Sequence, residues 1–124
     1  MTIKNFRDLE IWNEAKNLAI ELFKLTASST FKFDLSFKDQ LRRSAISIPS
    51  NIAEGFERDN NNEFSHFLKI AKGSSAELLT QLEIAVETKF IASKKCLDMI
   101  IRLEILNAKI GKFLVYLAKN KLTR

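Results

Sequence analysis

Few side chains in this chain could do covalent chemistry, and their spacing gives them no partners. The one histidine, His66, has no Cys or Asp at metal-ligand spacing, and the one cysteine, Cys96, has no second thiol for a disulfide or a zinc site. Cys96 therefore reads as a small buried apolar side chain. Glu54, Glu77, Glu83 and Glu87 could supply paired carboxylates, but charged helices carry glutamates for solubility alone. There is no glycine-rich phosphate loop, no nucleophile elbow and no histidine beside a nucleophile. The pattern predicts a protein that is not an enzyme and uses neither metal nor cofactor.

The remaining chemistry is non-covalent, and two sets of residues could carry it. Lys95, Arg102 and Lys109 recur every seven residues, flanked by Lys112 and Lys119, with Arg42 and Arg43 as additions. Such cations release counterions from phosphate, which gives affinity for RNA or DNA without sequence readout. Residues 89–124 hold 9 basic and 2 acidic side chains, a net +7, while the remainder is −2, so the overall +5 belongs to the last segment. Aromatic residues for base stacking are nearly absent from this face apart from Tyr116. The second set is a polar stripe, Arg43, Ser47, Asn51, Glu54 and Arg58, joined by Glu77 and Gln81. It suits hydrogen bonds between helices or across subunits, as in a protein adaptor. Each set also has a plain alternative as a solvated face, with helix-spaced ion pairs worth a few tenths of a kcal/mol each.

The elements that must position these residues are helices. Only 3 glycines and 1 proline occur among 124 residues, too few for the turns of a β-rich domain. The spacing predicts a first helix from Leu9 to about Thr26, with a seam of Trp12, Ala15, Ala19, Leu22 and Thr26, with Ile11, Leu18 and Leu25 beside it and with Trp12 as a core anchor. Phe31, Phe33, Leu35 and Phe37 are too apolar for a free linker and are expected to cover one end of the fold. Ser36 and Asp39 resemble a capping box before a second helix running to Phe56 or Glu57. In it Leu41, Ala45, Ile48, Ile52 and Gly55 alternate by four and three. Pro49 lies inside that pattern, and because the apolar phase survives it, a continuous, bent helix is expected.

Asn60 with Glu63 marks the start of a third helix, with a seam of Phe64, Leu68, Ala71, Ser75, Leu78, Leu82 and Ala85. Gly73 in its middle costs about 1 kcal/mol against alanine, so another backbone is expected close by. Ser93 is the expected cap of a fourth helix to about Lys119, with Ile100, Leu103, Asn107, Ile110, Leu114 and Leu117 as its seam and Met99, Leu106 and Phe113 beside it. Lys95, Arg102 and Lys109 lie off this seam, so their reversal to glutamate is expected to leave folding intact. The expected fold is all-α: an antiparallel up-and-down four-helix bundle forming a single domain over residues 1–124. No apolar run approaches the roughly 20 residues of a membrane span, and the N-terminus lacks a basic-then-apolar leader, so a cytoplasmic protein with no membrane partner is expected.

Two blocks, QLRRSAISIPSNIAEG from Gln40 to Gly55 and EFSHFLKIAKGSSAELLTQLEIA from Glu63 to Ala85, resemble the 23S rRNA intervening-sequence protein family. The resemblance spans nearly the whole chain. It implies an antiparallel four-helix bundle assembled as a homopentamer. One branch of similar proteins serves reverse transcriptases of diversity-generating retroelements, which implies a nucleic-acid-processing protein as a partner. The chain departs from the family pattern at Lys32, in place of a common proline, at Ser36, in place of a common glycine, and at Lys89, where a glycine often ends the third helix. Together these readings give a non-enzymatic oligomeric adaptor with a basic surface, binding RNA or such a partner. The alternative is a purely structural protein adaptor.

Overall fold

A computed structural model describes residues 2–27 and 34–124. Four helices follow one another: α1 (Glu10–Leu25), α2 (Leu35–Glu57), α3 (Asn61–Glu87) and α4 (Ser93–Lys119), with a single 3-10 turn, Phe6–Asp8, ahead of α1. They pack as an all-α, up-and-down four-helix bundle. Phe31 and Phe33 lie outside the described residues, as does Lys32. Of their expected companions, Phe37 meets Phe90 edge-on at 5.5 Å across one end of the bundle, whereas Leu35 stays exposed.

The helix ends follow local chemistry. Asn60 Oδ1 accepts from the Glu63 amide at 3.0 Å, as its position before α3 predicts. At α2 the cap is Asp34, whose Oδ1 accepts from Phe37 N at 3.0 Å, rather than the expected Ser36, which lies inside the first turn. Ser93 is likewise the first residue of α4 and not its cap; Ala92 precedes it without a side-chain bond. Helix α3 ends with Lys89 at φ 61°, its N–H bonded to Val86 O and the next N–H, of Phe90, to Ala85 O. This is a Schellman ending whose left-handed residue carries a Cβ, the conformation that favours glycine.

Helix α2 runs unbroken through Pro49, as the apolar phase requires. The ring is buried, so burial of the apolar face offsets the missing backbone bond. The seams of α2 and α3 match their spacing residue for residue, and fully enclosed Leu41, Ile48, Ile52, Leu68, Leu78 and Leu82 contribute about 1.5–3 kcal/mol each. Helix α4 differs. Its core residues are Cys96, Met99, Leu103, Leu106, Ile110 and Leu117, while Ile100, Asn107 and Leu114 are only partly buried, so the helix is rotated from the expected seam. Apolar residues occupy so much of its circumference that period alone admits both phases.

Trp12 is a rim residue and not a core anchor. It is half-buried, meeting Phe6 edge-on at 5.1 Å with Lys16 over its ring. Phe6 and buried Leu9 thus fold back on the bundle. The two chain ends also meet, Ile3 N donating to Thr123 O at 2.8 Å, while Leu122 is buried and Arg124 lies over Phe56 and Phe64.

Gly73 is exposed, and a Cβ there would meet nothing within 4 Å, so no other backbone among the described residues passes close. The close approach belongs to Gly55. A Cβ there would lie 2.6 Å from Phe67 Cβ and 3.0 Å from Phe64 Cδ1.

Candidate interaction surfaces

The polar stripe lies along the α2–α3 seam. Ser44 Oγ donates to Glu77 Oε1 at 2.5 Å, and Ser47 and Ser74 hydroxyls meet at 2.8 Å. Asn51 Nδ2 donates to Ser47 O and Oγ at 2.7 and 2.9 Å. Arg58 pairs with Glu54 one turn back and with Glu63 on α3. The Ser44–Glu77, Ser47–Ser74 and Arg58–Glu63 contacts register two helices of one chain. Arg43 and Gln81 make no hydrogen bond among the described residues, and with Gln40, Glu77 and Thr80 they line an open polar cleft of about 620 Å³ beside the seam.

The basic set divides. Arg42 is used inside the bundle: Nε donates to Thr26 Oγ1 at 2.9 Å, Nη2 donates to Phe23 O at 3.1 Å, and the guanidinium stacks on Phe23 at 4.4 Å. It satisfies a carbonyl at the C-terminus of α1, where a cation is favourable. Arg102 pairs with Glu21 of α1 at 2.5 Å and with Asp98 one turn back at 3.6 Å. Lys109 donates to Glu10 at 2.6 Å and to Glu14 at 2.7 Å. Hydrogen bonding to Arg102 holds the Glu21 carboxyl below the usual carboxylate range, and hydrogen bonding to Lys109 does the same for Glu10. Glu21 raises Arg102 in turn, and Glu10 followed by Glu14 raises Lys109.

Arg102 and Lys109 therefore strap α1 to α4 and do not form a free basic face. Reversing them to glutamate would set like charges against Glu10, Glu14 and Glu21, so such a change is expected to weaken the α1–α4 seam even though the core residues of α4 are untouched. Arg43, Lys95, Lys112 and Lys119 form no ion pair among the described residues. Along the strapped seam lie clefts of about 580 Å³ by Leu25 and Met99, about 210 Å³ by Leu18 and Ile105, and about 460 Å³ by Ile11 and Phe113.

The groups with reactive potential are quiet. Cys96 is sealed in the core, its Sγ donating to Leu82 O at 3.3 Å, and burial pushes its thiol up to about 11. His66 is exposed, with its ring edge-on to Phe67.

One surface that the residue spacing did not single out is the outer face of α4. Leu97, Ile101, Ile105 and Val115 point away from the core and are each at least half exposed. Their apolar character is present in the sequence, but on a helix that is apolar around most of its circumference it merges with the neighbouring seam.

A family model described as 23S rRNA-intervening sequence protein matches residues 7–112. Among solved structures, the chain is similar to a protein of unknown function from the S23 ribosomal protein family of Bacteroides thetaiotaomicron. That match has a TM-score of 0.70 at 20% identity and covers 89% of this chain and 99% of the other. At that identity the likeness establishes the fold. No curated protein sequence matches the chain.

Proposed function

Because the chain belongs to the 23S rRNA-intervening sequence protein family, we propose that it is a non-enzymatic adaptor that assembles with copies of itself and presents a basic surface to RNA or to a nucleic-acid-processing partner such as a reverse transcriptase. The outer face of α4 carries the reading. Leu97, Ile101, Ile105 and Val115 are at least half exposed on one helix, while Arg102 and Lys109 are turned into ion pairs with α1. A solvated helix face normally shows the reverse arrangement, with apolar residues inside and charges outside. Light scattering at micromolar concentration should return a multiple of the 14.2 kDa chain mass. A monomer would remove the assembly reading.

The nucleic-acid reading rests on a separate observation. Arg43, Lys95, Lys112 and Lys119 have no ion-pair partner among the described residues, so they can meet phosphate without giving up a bond. The variant Lys95→Glu, Lys112→Glu, Lys119→Glu avoids the α1–α4 straps. If the wild type binds RNA through phosphates, each lost contact should flatten the log–log salt dependence of binding by about 0.7 to 0.9. Equal slopes, or no wild-type binding at low salt, would leave a purely structural protein adaptor.

A further inference from the structure

We propose that the outer face of α4 seats on the outer face of α3 in the next copy, with Ile101 and Ile105 entering the hollow at Gly73 and Ala76. This rests on the assembly reading and adds the two surfaces that meet. Gly73 is exposed in the middle of a 27-residue helix, and among the described residues nothing beyond its own turn of helix lies within 4 Å of where a Cβ would stand. A glycine there weakens the helix relative to alanine and gains nothing inside the monomer. Ala76 is exposed one turn on, and exposed Ile70 and Ile84 stand on either side. The result is a shallow depression floored by Gly73 and Ala76 between two raised isoleucines, with Glu77 and Thr80 on the same side of the helix, opposite in shape to the α4 stripe.

Register supports the fit. Cys96 lies level with Leu82, and Phe113 with Phe64, so the antiparallel α3–α4 pair puts Ile105 at the level of Gly73 and Ile101 at that of Ala76. Rotation about an axis along the bundle adds no rise, so α4 of one copy meets α3 of the next at these same levels. Lys94 then falls beside Glu83 and Glu87, and none of the three has an ion-pair partner among the described residues. The +7 of the last segment against the −2 of the remainder opposes packing α4 on α4 and favours α4 on α3. Neighbouring helices of a four-helix bundle face outward about 90° apart. Contact faces about 90° apart on one subunit close a ring and do not propagate a filament.

Two variants test the pairing, each blocking one face. Ile101→Asp with Ile105→Asp disables α4 and leaves α3 intact; Gly73→Trp does the converse. Each alone should run as a 14.2 kDa monomer with unchanged helical circular dichroism, and the two mixed should form a one-to-one dimer. A wild type that is itself monomeric would overturn the assembly reading beneath the proposal. Variants that assemble like an assembled wild type would overturn the faces alone. A variant that forms dimers with itself would show that like faces pair, and monomeric variants that do not combine would overturn the α4-on-α3 contact. Should either variant fail to fold, Gly73→Cys with Ile105→Cys should cross-link into a ladder under mild oxidation while each single cysteine variant does not. No ladder would overturn the proposal.

Discussion

The α2–α3 seam and the α1–α4 seam solve the same packing problem with different side chains. Between α2 and α3 the contacts are small: Gly55 against Phe67, Ser47 against Ser74, Ser44 reaching Glu77. Small residues let backbones approach, and short hydroxyl bonds fix the register with little side-chain entropy to lose. Between α1 and α4 the contacts at the rim are long and ionic, Lys109 to Glu10 and Glu14 and Arg102 to Glu21, with clefts along the seam. One seam is held by shape and the other by charge. Shape should tolerate salt and acid but not an added methyl group, and charge should behave in the opposite way.

The sharpest break is Gly55→Ala. The new Cβ collides with Phe67 Cβ, which is fixed to the α3 backbone, so helices must shift, and denaturant unfolding should show a loss of about 1–3 kcal/mol. The same substitution at Gly73 meets nothing among the described residues, so in the Ile101→Asp, Ile105→Asp background, where the α4 face is disabled, Gly73→Ala should raise stability by about 0.5–1 kcal/mol. Opposite signs from one chemical change would confirm that close packing belongs to only one of the two glycines.

Arg102→Glu should cost about 0.5–1 kcal/mol, since the pair is more than a third exposed and partly screened. Hydrogen exchange should rise at the α1 amides and stay unchanged in α2 and α3. The smallest effect is that of pH. Glu10 and Glu21 titrate lower in the folded protein than their ordinary value near 4.5, so their stabilisation is complete above that value and is lost as pH falls through the folded values. Lys109 titrates above its ordinary 10.5, so its share is complete below that and is lost only in stronger alkali. Acid titration followed by exchange should therefore loosen α1 before α3, and simultaneous loosening would refute an ionic seam.

The Lys89 position is a smaller case of the same distinction between local and tertiary control. Its left-handed φ is set by the ending of α3, and a glycine would adopt it without strain.

Periodicity by itself determined where α1, α2 and α3 run and which residues of α2 and α3 face inward. Phe64, Leu68, Ala71, Ser75, Leu78, Leu82 and Ala85 are buried as their spacing requires, and Asn60 caps as its type requires. These are local properties, fixed by 3.6 residues per turn and by side chains reaching their own backbone. Rotation of α4 about its axis was not local. With apolar residues on most sides, only the packing against α1 and α3 decided that Cys96 and Met99 go in and Ile101 and Ile105 go out. The fate of the cations was equally remote: the partner of Lys109 is Glu14, 95 residues earlier, and that of Arg42 is the Phe23 carbonyl, which no spacing rule reaches. Sequence period specifies which face of a helix is apolar, but a charge is free or bound according to what the neighbouring helix brings beside it, and only the tertiary structure makes that choice.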